Sequence, residues 1–231
     1  MEKRRWSYSR LEKYQTCPHA YYLKYVAGFD EHETPEMILG HETHRLIQAC
    51  LTGTAAPEAS LEAQLLAEKV LRWILDGQWT PVAVEKEFEI PLDRENVITG
   101  VIDAILKKHE LVLLDWKTGW RRYSVKKHYQ QLGLYVWAAR LLGYNIDKCG
   151  YMLVRYRFPF RWESDLENIA QKALDWAKRL INQVQQAHEK YQNGVIAPEA
   201  FPAKPNSTCG RCSFLSMCPF QYEREVSPWV Q

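Results

Sequence analysis

The chain has 231 residues, enough for one large domain that buries roughly 70% of its unfolded surface. With 46% hydrophobic and 25% charged residues its composition is that of an ordinary globular protein, which excludes a disordered, collagen-like or disulfide-miniature chain. A formal charge of +2, from 30 Lys+Arg against 28 Asp+Glu, announces no polyanion partner by itself. The distribution is more informative: residues 1–25 hold six cations and two acids, residues 28–69 eight acids and two bases, and residues 117–127 five cations and no acid. Six cysteines would suggest disulfides in an exported chain, but no apolar signal segment follows the charged start Met1–Arg5. No uncharged run approaches the roughly eighteen residues needed to span a bilayer. The expectation is a soluble, cytoplasmic protein with reduced cysteines and no membrane partner.

No repeat or linker divides the chain, so residues 1–231 read as a single domain. Ser7 or Ser9 can cap a first helix carrying Leu11, Tyr14, Tyr21, Tyr22 and Tyr25, interrupted at Cys17-Pro18 and closed near Gly28. A second helix runs from about Pro35 to Leu51, and a third from about Glu58 to Leu75, with Leu61, Leu65, Val70, Trp73 and Ile74 at helical spacing. From Val82 the period becomes two, with Val82, Val84, Phe88, Ile90 and Leu92 on one face and Glu85, Glu87 and Glu89 on the other. A turn at Asp93–Asn96 leads to a strand over Val97–Leu106, and a turn at Lys107–Glu110 to a strand over Leu111–Lys117, giving an antiparallel meander. A helix at about Val125–Leu142, a strand at Lys148–Arg157 on the same sheet and a long helix at about Ser164–Gln192 follow. The order predicts an α/β fold with a mixed central sheet flanked by helices, its sheet core spanning residues 82–157.

Asp115 and Lys117 are two apart on a strand and so share a face at the point where the strand leaves the core. Burying either without a partner would be costly. Asp103 interrupts the apolar run of the preceding strand, and a short turn brings it beside Asp115. Two close carboxylates repel unless a proton or cation lies between them, and a hard divalent ion is the usual solution. A simple Asp–Lys pair would need no metal, but it leaves Asp103 unexplained. His44 borders the apolar stripe of the second helix, Gln131 and Tyr135 lie one helical turn apart, and Glu85 and Glu87 could assist from the neighbouring strand.

Cys209-Gly210-Arg211-Cys212 with Cys218, and Cys17 from the other end of the chain, could supply four thiolates to a 4Fe-4S cluster or, alternatively, to structural zinc. One C-x-x-C pair plus two single cysteines favours the cluster. Such a group would join residues 1–30 to residues 195–231. Cys50 on an apolar helix face and Cys149 inside a strand read as small core residues.

Ser7–Leu11, Cys17-Pro18, Gly40–His44, Gly100–Asp103, Asp115-Trp116-Lys117, Gln131–Tyr135 and the terminal cysteines, in that order, resemble the PD-(D/E)XK nuclease superfamily, specifically its RecB-like branch with a cysteine cluster. Ile102 stands where the family's name has proline. The resemblance implies a restriction-endonuclease-like core and metal-dependent hydrolysis of DNA phosphodiesters, commonly exonucleolytic on single strands, in recombination, repair or CRISPR adaptation. It implies Mg²⁺ or Mn²⁺ on His44, Asp103, Asp115 and the Trp116 carbonyl, with Lys117, Gln131 and Tyr135 completing the catalytic set. Cys17, Cys209, Cys212 and Cys218 become cluster ligands, and Arg10, Arg121, Arg122, Lys126 and Lys127 the cations for the DNA backbone. A non-catalytic iron-sulfur or zinc DNA-binding subunit of a larger complex is the alternative.

Overall fold

The structure is a computed structural model and describes residues 3–119, 129–156 and 159–221. The sequence reads as one domain; the structure divides into two compact units, Met1–Arg5 with Glu33–Asp175, and Trp6–His32 with Trp176–Gln231.

The first unit holds α3 (Pro35–Thr52), α4 (Leu61–Asp76), β2 (Thr80–Pro91), β3 (Asn96–Lys107), β4 (Leu111–Lys117), α5 (Tyr129–Leu141), β5 (Lys148–Leu153) and β6 (Pro159–Glu163). Thr34 and Ser60 cap α3 and α4 by accepting the Met37 and Ala63 amides, as short hydroxyl side chains do best at that position. With β1 (Arg4–Trp6), which pairs with β3, the sheet has six strands. β2, β3 and β4 form the expected antiparallel meander, and β5 runs parallel to β4, so the sheet is mixed.

Alternation along the strands then sorts the side chains. Ala104, Leu106, Val112, Leu114, Trp116 and Met152 face Leu46 and Ile47 of α3 and Ala63, Leu66, Val70 and Ile74 of α4 in one apolar cluster. On α4 the buried stripe is Ala63, Leu66, Ala67, Val70 and Ile74, while Leu61 and Leu65, expected inside, are 71% and 51% exposed. The opposite sheet face meets α5, where the Tyr135 ring packs edge-on against Phe88 at 5.8 Å. Gly133 lets α5 approach α6 (Leu166–Gln192) closely, since a Cβ there would lie 2.3 Å from the Ile169 carbonyl oxygen.

Two strand expectations change. β5 ends at Leu153, four residues short of the expected Arg157, and the chain then returns antiparallel as β6, a strand not expected from the sequence, which pairs Cys149 with Glu163. In β2 the alternation breaks at Glu85, whose φ of 45° is left-handed, and Val82 is 46% exposed. Cys50, expected in the core, is exposed, whereas Cys149 is buried.

The second unit takes α1 (Tyr8–Thr16), α2 (Pro18–Tyr25), the remainder of α6 and α7 (Ala197–Ala200). Ser7 caps α1, and Cys17, in extended conformation, separates it from α2, whose first residue is Pro18. Ala20, Leu23 and Phe214 form a small core with Cys17, Tyr22 and Cys212 packed against it.

Candidate active site

The antiparallel ladder between β3 and β4 runs from Lys107↔Leu111 to Ala104↔Leu114. Beyond it, Asp103 Oδ2 accepts the Trp116 amide at 2.7 Å, so a carboxylate replaces the next backbone acceptor. Asp103 and Asp115 are both buried, at 7% and 1% exposure. Lys117 Nζ lies 2.6 Å from Asp115 Oδ2 and donates to Gln131 Oε1 at 2.9 Å. Gln131 Nε2 in turn donates to the Tyr135 hydroxyl at 3.0 Å. The Tyr151 ring, opposite Asp115 in the parallel register with β5, has its centroid 5.8 Å from Lys117 Nζ. Asp115 Oδ2 is buried, with the Lys117 ammonium as its ion-pair partner.

His44 arrives from α3. Its Nε2 lies 3.2 Å from the Trp116 carbonyl, its Nδ1 3.2 Å from Glu85 Oε1 and 3.8 Å from Asp103 Oδ2. Ligand atoms of His44, Glu85 and Asp103 all fall within 4.8 Å of one another. Glu85 itself has a left-handed backbone. Regular alternation would group it with Glu87, which is exposed. The signal for it was in the hairpin count: pairs such as Lys86↔Ile102 and Val84↔Ala104 place residue 85 opposite residue 103.

Three carboxylates around an imidazole set the electrostatics. Burial disfavours the charged imidazolium of His44, but Asp103, Glu85 and Asp115 outweigh it and raise the pKa to about 9. Burial, then repulsion by Asp115, raises Asp103 to about 7 against the pull of His44 and Lys117. Burial, followed by the two aspartates, also raises the Tyr135 phenol, keeping it a neutral hydroxyl.

The donor set fits a divalent cation. Carboxylate oxygens, a backbone carbonyl and an imidazole nitrogen converge, they are the ligand types of Mg²⁺ and Mn²⁺ sites, and the buried Asp115 carboxylate, paired with Lys117, lies in the same cluster of charge.

Of the residues expected from the sequence, His44, Asp103, Asp115, Trp116, Lys117, Gln131 and Tyr135 come together in the first unit. Arg121, Arg122, Lys126 and Lys127 lie outside the described residues. Arg10 is in the second unit, where its guanidinium stacks over Trp6 and Tyr25 at 5.1 and 4.9 Å and donates to the Tyr21 hydroxyl. Cys17, Cys209, Cys212 and Cys218 also belong to that unit. The Cys17 and Cys209 sulfurs accept the backbone amides of Lys204 and Asn206. Burial, and then the neighbouring Cys17 and Cys209, push the Cys212 thiol up against the pull of the Phe214 amide. Among the described residues, no three cysteine sulfurs lie within 4.8 Å of one another.

The mixed sheet thus carries an acidic cluster and a lysine at the end of its central strands. The family model of the PD-(D/E)XK nuclease superfamily matches residues 5–75 and 62–219, and the chain belongs to this superfamily. Its members are nucleases that use divalent metals. A crystal structure named as a "Putative exonuclease" from Eubacterium rectale is similar, with TM-score 0.51 and 13% identity over 82% of each chain. The crystal structure of SSO0001 aligns over 96% of this chain and 88% of its own at TM-score 0.47 and 15% identity. No curated protein matches the sequence. Among the described residues, no helix is long and apolar enough to cross a membrane.

Proposed function

We propose that the chain is a divalent-metal-dependent deoxyribonuclease that removes nucleotides from single-stranded DNA ends. The observation that carries this reading is the convergence of His44, Glu85 and Asp103 within 4.8 Å beside the buried Asp115–Lys117 pair. His44, Glu85, Asp103, Asp115 and the Trp116 carbonyl would hold Mg²⁺ or Mn²⁺, which supplies Lewis-acid charge at the scissile phosphate and lowers the pKa of water. The imidazole favours Mn²⁺ over Mg²⁺. Lys117 presents its ammonium to charge that develops on the phosphate. Gln131 orients Lys117, and the Tyr135 hydroxyl orients Gln131. Arg121, Arg122, Lys126 and Lys127, which follow β4 in the sequence, would track the DNA backbone. The exonuclease name of the Eubacterium rectale protein is in keeping with end-directed cleavage.

Cys17, Cys209, Cys212 and Cys218 would bind a 4Fe-4S cluster with a structural role. A tetrahedral zinc site draws its thiolates to about 3.8 Å of one another, closer than any three cysteine sulfurs come among the described residues. Work in recombination, repair or CRISPR adaptation, alone or within an integration complex, follows from the same reading.

The test is hydrolysis of end-labelled single- and double-stranded DNA, blocked at either end, with and without Mn²⁺ or Mg²⁺. Single strands should shorten from an unblocked end only with metal. Asp115→Asn and Lys117→Ala should each lower kcat by about a thousandfold with the melting temperature preserved, in line with the loss of a charge-stabilising group. Full activity in both variants, or in metal-free buffer, would sink the reading.

A further inference from the structure

Consecutive residues at the end of β5 hold the two carbonyls that close β4. The Val154 amide donates to the Lys117 carbonyl at 3.0 Å, and Arg155 Nε donates to the Thr118 carbonyl at 2.7 Å. The parallel ladder has its last pair at Lys117↔Leu153, so the Arg155 side chain extends it by one carbonyl. Arg155 also sets Nη1 2.7 Å from Glu62 Oε1 on α4, with its own side chain 10% exposed and that of Glu62 55% exposed. A guanidinium taken out of water is costly unless its donors are used. Pairing with a carboxylate that remains largely in water returns little by itself.

The other partner of Arg155 is the Thr118 carbonyl. Thr118 directly follows Lys117, so holding the Thr118 carbonyl, next to the Lys117 carbonyl held by the Val154 amide, steadies the backbone that carries the Lys117 side chain to Asp115 and Gln131. The Thr118 hydroxyl also lies against α3, 3.4 Å from where a Cβ on Gly40 would sit, one helical turn before His44. Thr118 thus borders both the lysine strand, through its backbone, and the histidine helix, through its side chain.

We propose, building on the nuclease reading, that Arg155 is a positioning residue that locks the exit of β4 and thereby sets Lys117 against the acidic cluster. A shift of about an ångström at such a group costs on the order of a hundredfold in rate. Arg155→Met keeps length and suits a buried place but has no donor; Arg155→Lys keeps one donor for the Thr118 carbonyl; Glu62→Gln removes only the half-exposed charge.

Each variant is compared with wild type by Mn²⁺-dependent hydrolysis of an end-labelled single-stranded oligonucleotide and by thermal melting. An inactive wild type defeats the nuclease reading itself, before Arg155 is at issue. With an active wild type, R155M should lower kcat about 10- to 100-fold with KM within about threefold, R155K should recover most of kcat, and E62Q should stay within about twofold of wild type. Unchanged kcat in R155M overturns the proposal. So does a rise in KM that depends on salt, which would make Arg155 a DNA contact, or an R155K no better than R155M. An R155M protein that does not fold assigns the residue to stability and overturns it too.

Discussion

In the first unit the chemistry-bearing groups come from one stretch of chain, His44 to Tyr135, and strand register brings most of them together; in the second, Cys17 shares a core with Cys212 because segments from opposite ends of the chain pack there. The first unit spends its burial on charge: two aspartates, a glutamate, a histidine and a lysine that a purely apolar core would hold at lower cost. The second spends it on rings, with Phe201 packed among Tyr21, Tyr22 and His188 at 6.2, 5.4 and 5.3 Å. On the proposed reading, the contrast separates a site whose groups would trade stability for reactivity from a scaffold whose cysteines would contribute stability through a bound group.

The sharpest way to break this contrast is at Glu85. Replacing it by Gln keeps the shape but removes one of the charges that raise His44. The expected result is a loss of Mn²⁺ affinity of about 10- to 100-fold by calorimetry, comparable to losses at other tuned metal sites, with an unchanged or higher melting temperature. Unaltered affinity would remove Glu85 from the ligand set.

The second unit should answer in the opposite way. Cys209→Ser with Cys212→Ser should abolish the visible absorption of the proposed cluster and speed amide exchange in α1 and α2 about tenfold or more, while β3 and β4 change less than about twofold. Equal loosening of β3 and β4 would show that the two units do not divide stability and chemistry.

The smallest effect concerns pH. His44, raised from 6.5 to about 9, and Asp103, raised from 3.8 to about 7, each favour the folded state in the protonated form. Their stabilisation is complete at low pH and is lost as pH rises through the folded values, for Asp103 between 3.8 and about 7 and for His44 between 6.5 and about 9. For chelator-treated protein this contribution should lower the melting temperature by about 5 °C between pH 6 and 9. Saturating Mn²⁺ should flatten the decline, because a cation replaces the protons. A decline that persists with metal would locate the titrating groups elsewhere.

Much of this was legible before any coordinates. Asp103 stood out as a carboxylate in an apolar strand, and Asp115 with Lys117 as a charged pair on one face; the register then placed both beside β4's exit as expected. Ser7 and Pro35 marked helix starts and Pro18 a break in the first helix, where α2 begins, through local chemistry alone. Periodicity grouped Glu85 with Glu87 as residues that could assist, and the structure separates them, with a left-handed residue at 85 in the cluster and Glu87 exposed. Leu61 and Leu65 were misjudged because helical spacing finds an apolar stripe without telling which flank faces the sheet. Arg155 had no sequence signal, since its role depends on the Thr118 carbonyl lying opposite it across two strands.

The sequence by itself determined the long helices, the meander and the identity of the charged residues that need a reason to be buried, because period, capping and the cost of an unpaired charge are local properties; the short β1, β6 and α7 were not legible in it. The tertiary structure alone decided which of those charges meet, that Glu85 joins them, and that the cysteines and the acidic cluster lie in separate units. Those outcomes rest on side chains that touch across strands and helices, where the separation in space is set by packing and not by position along the chain.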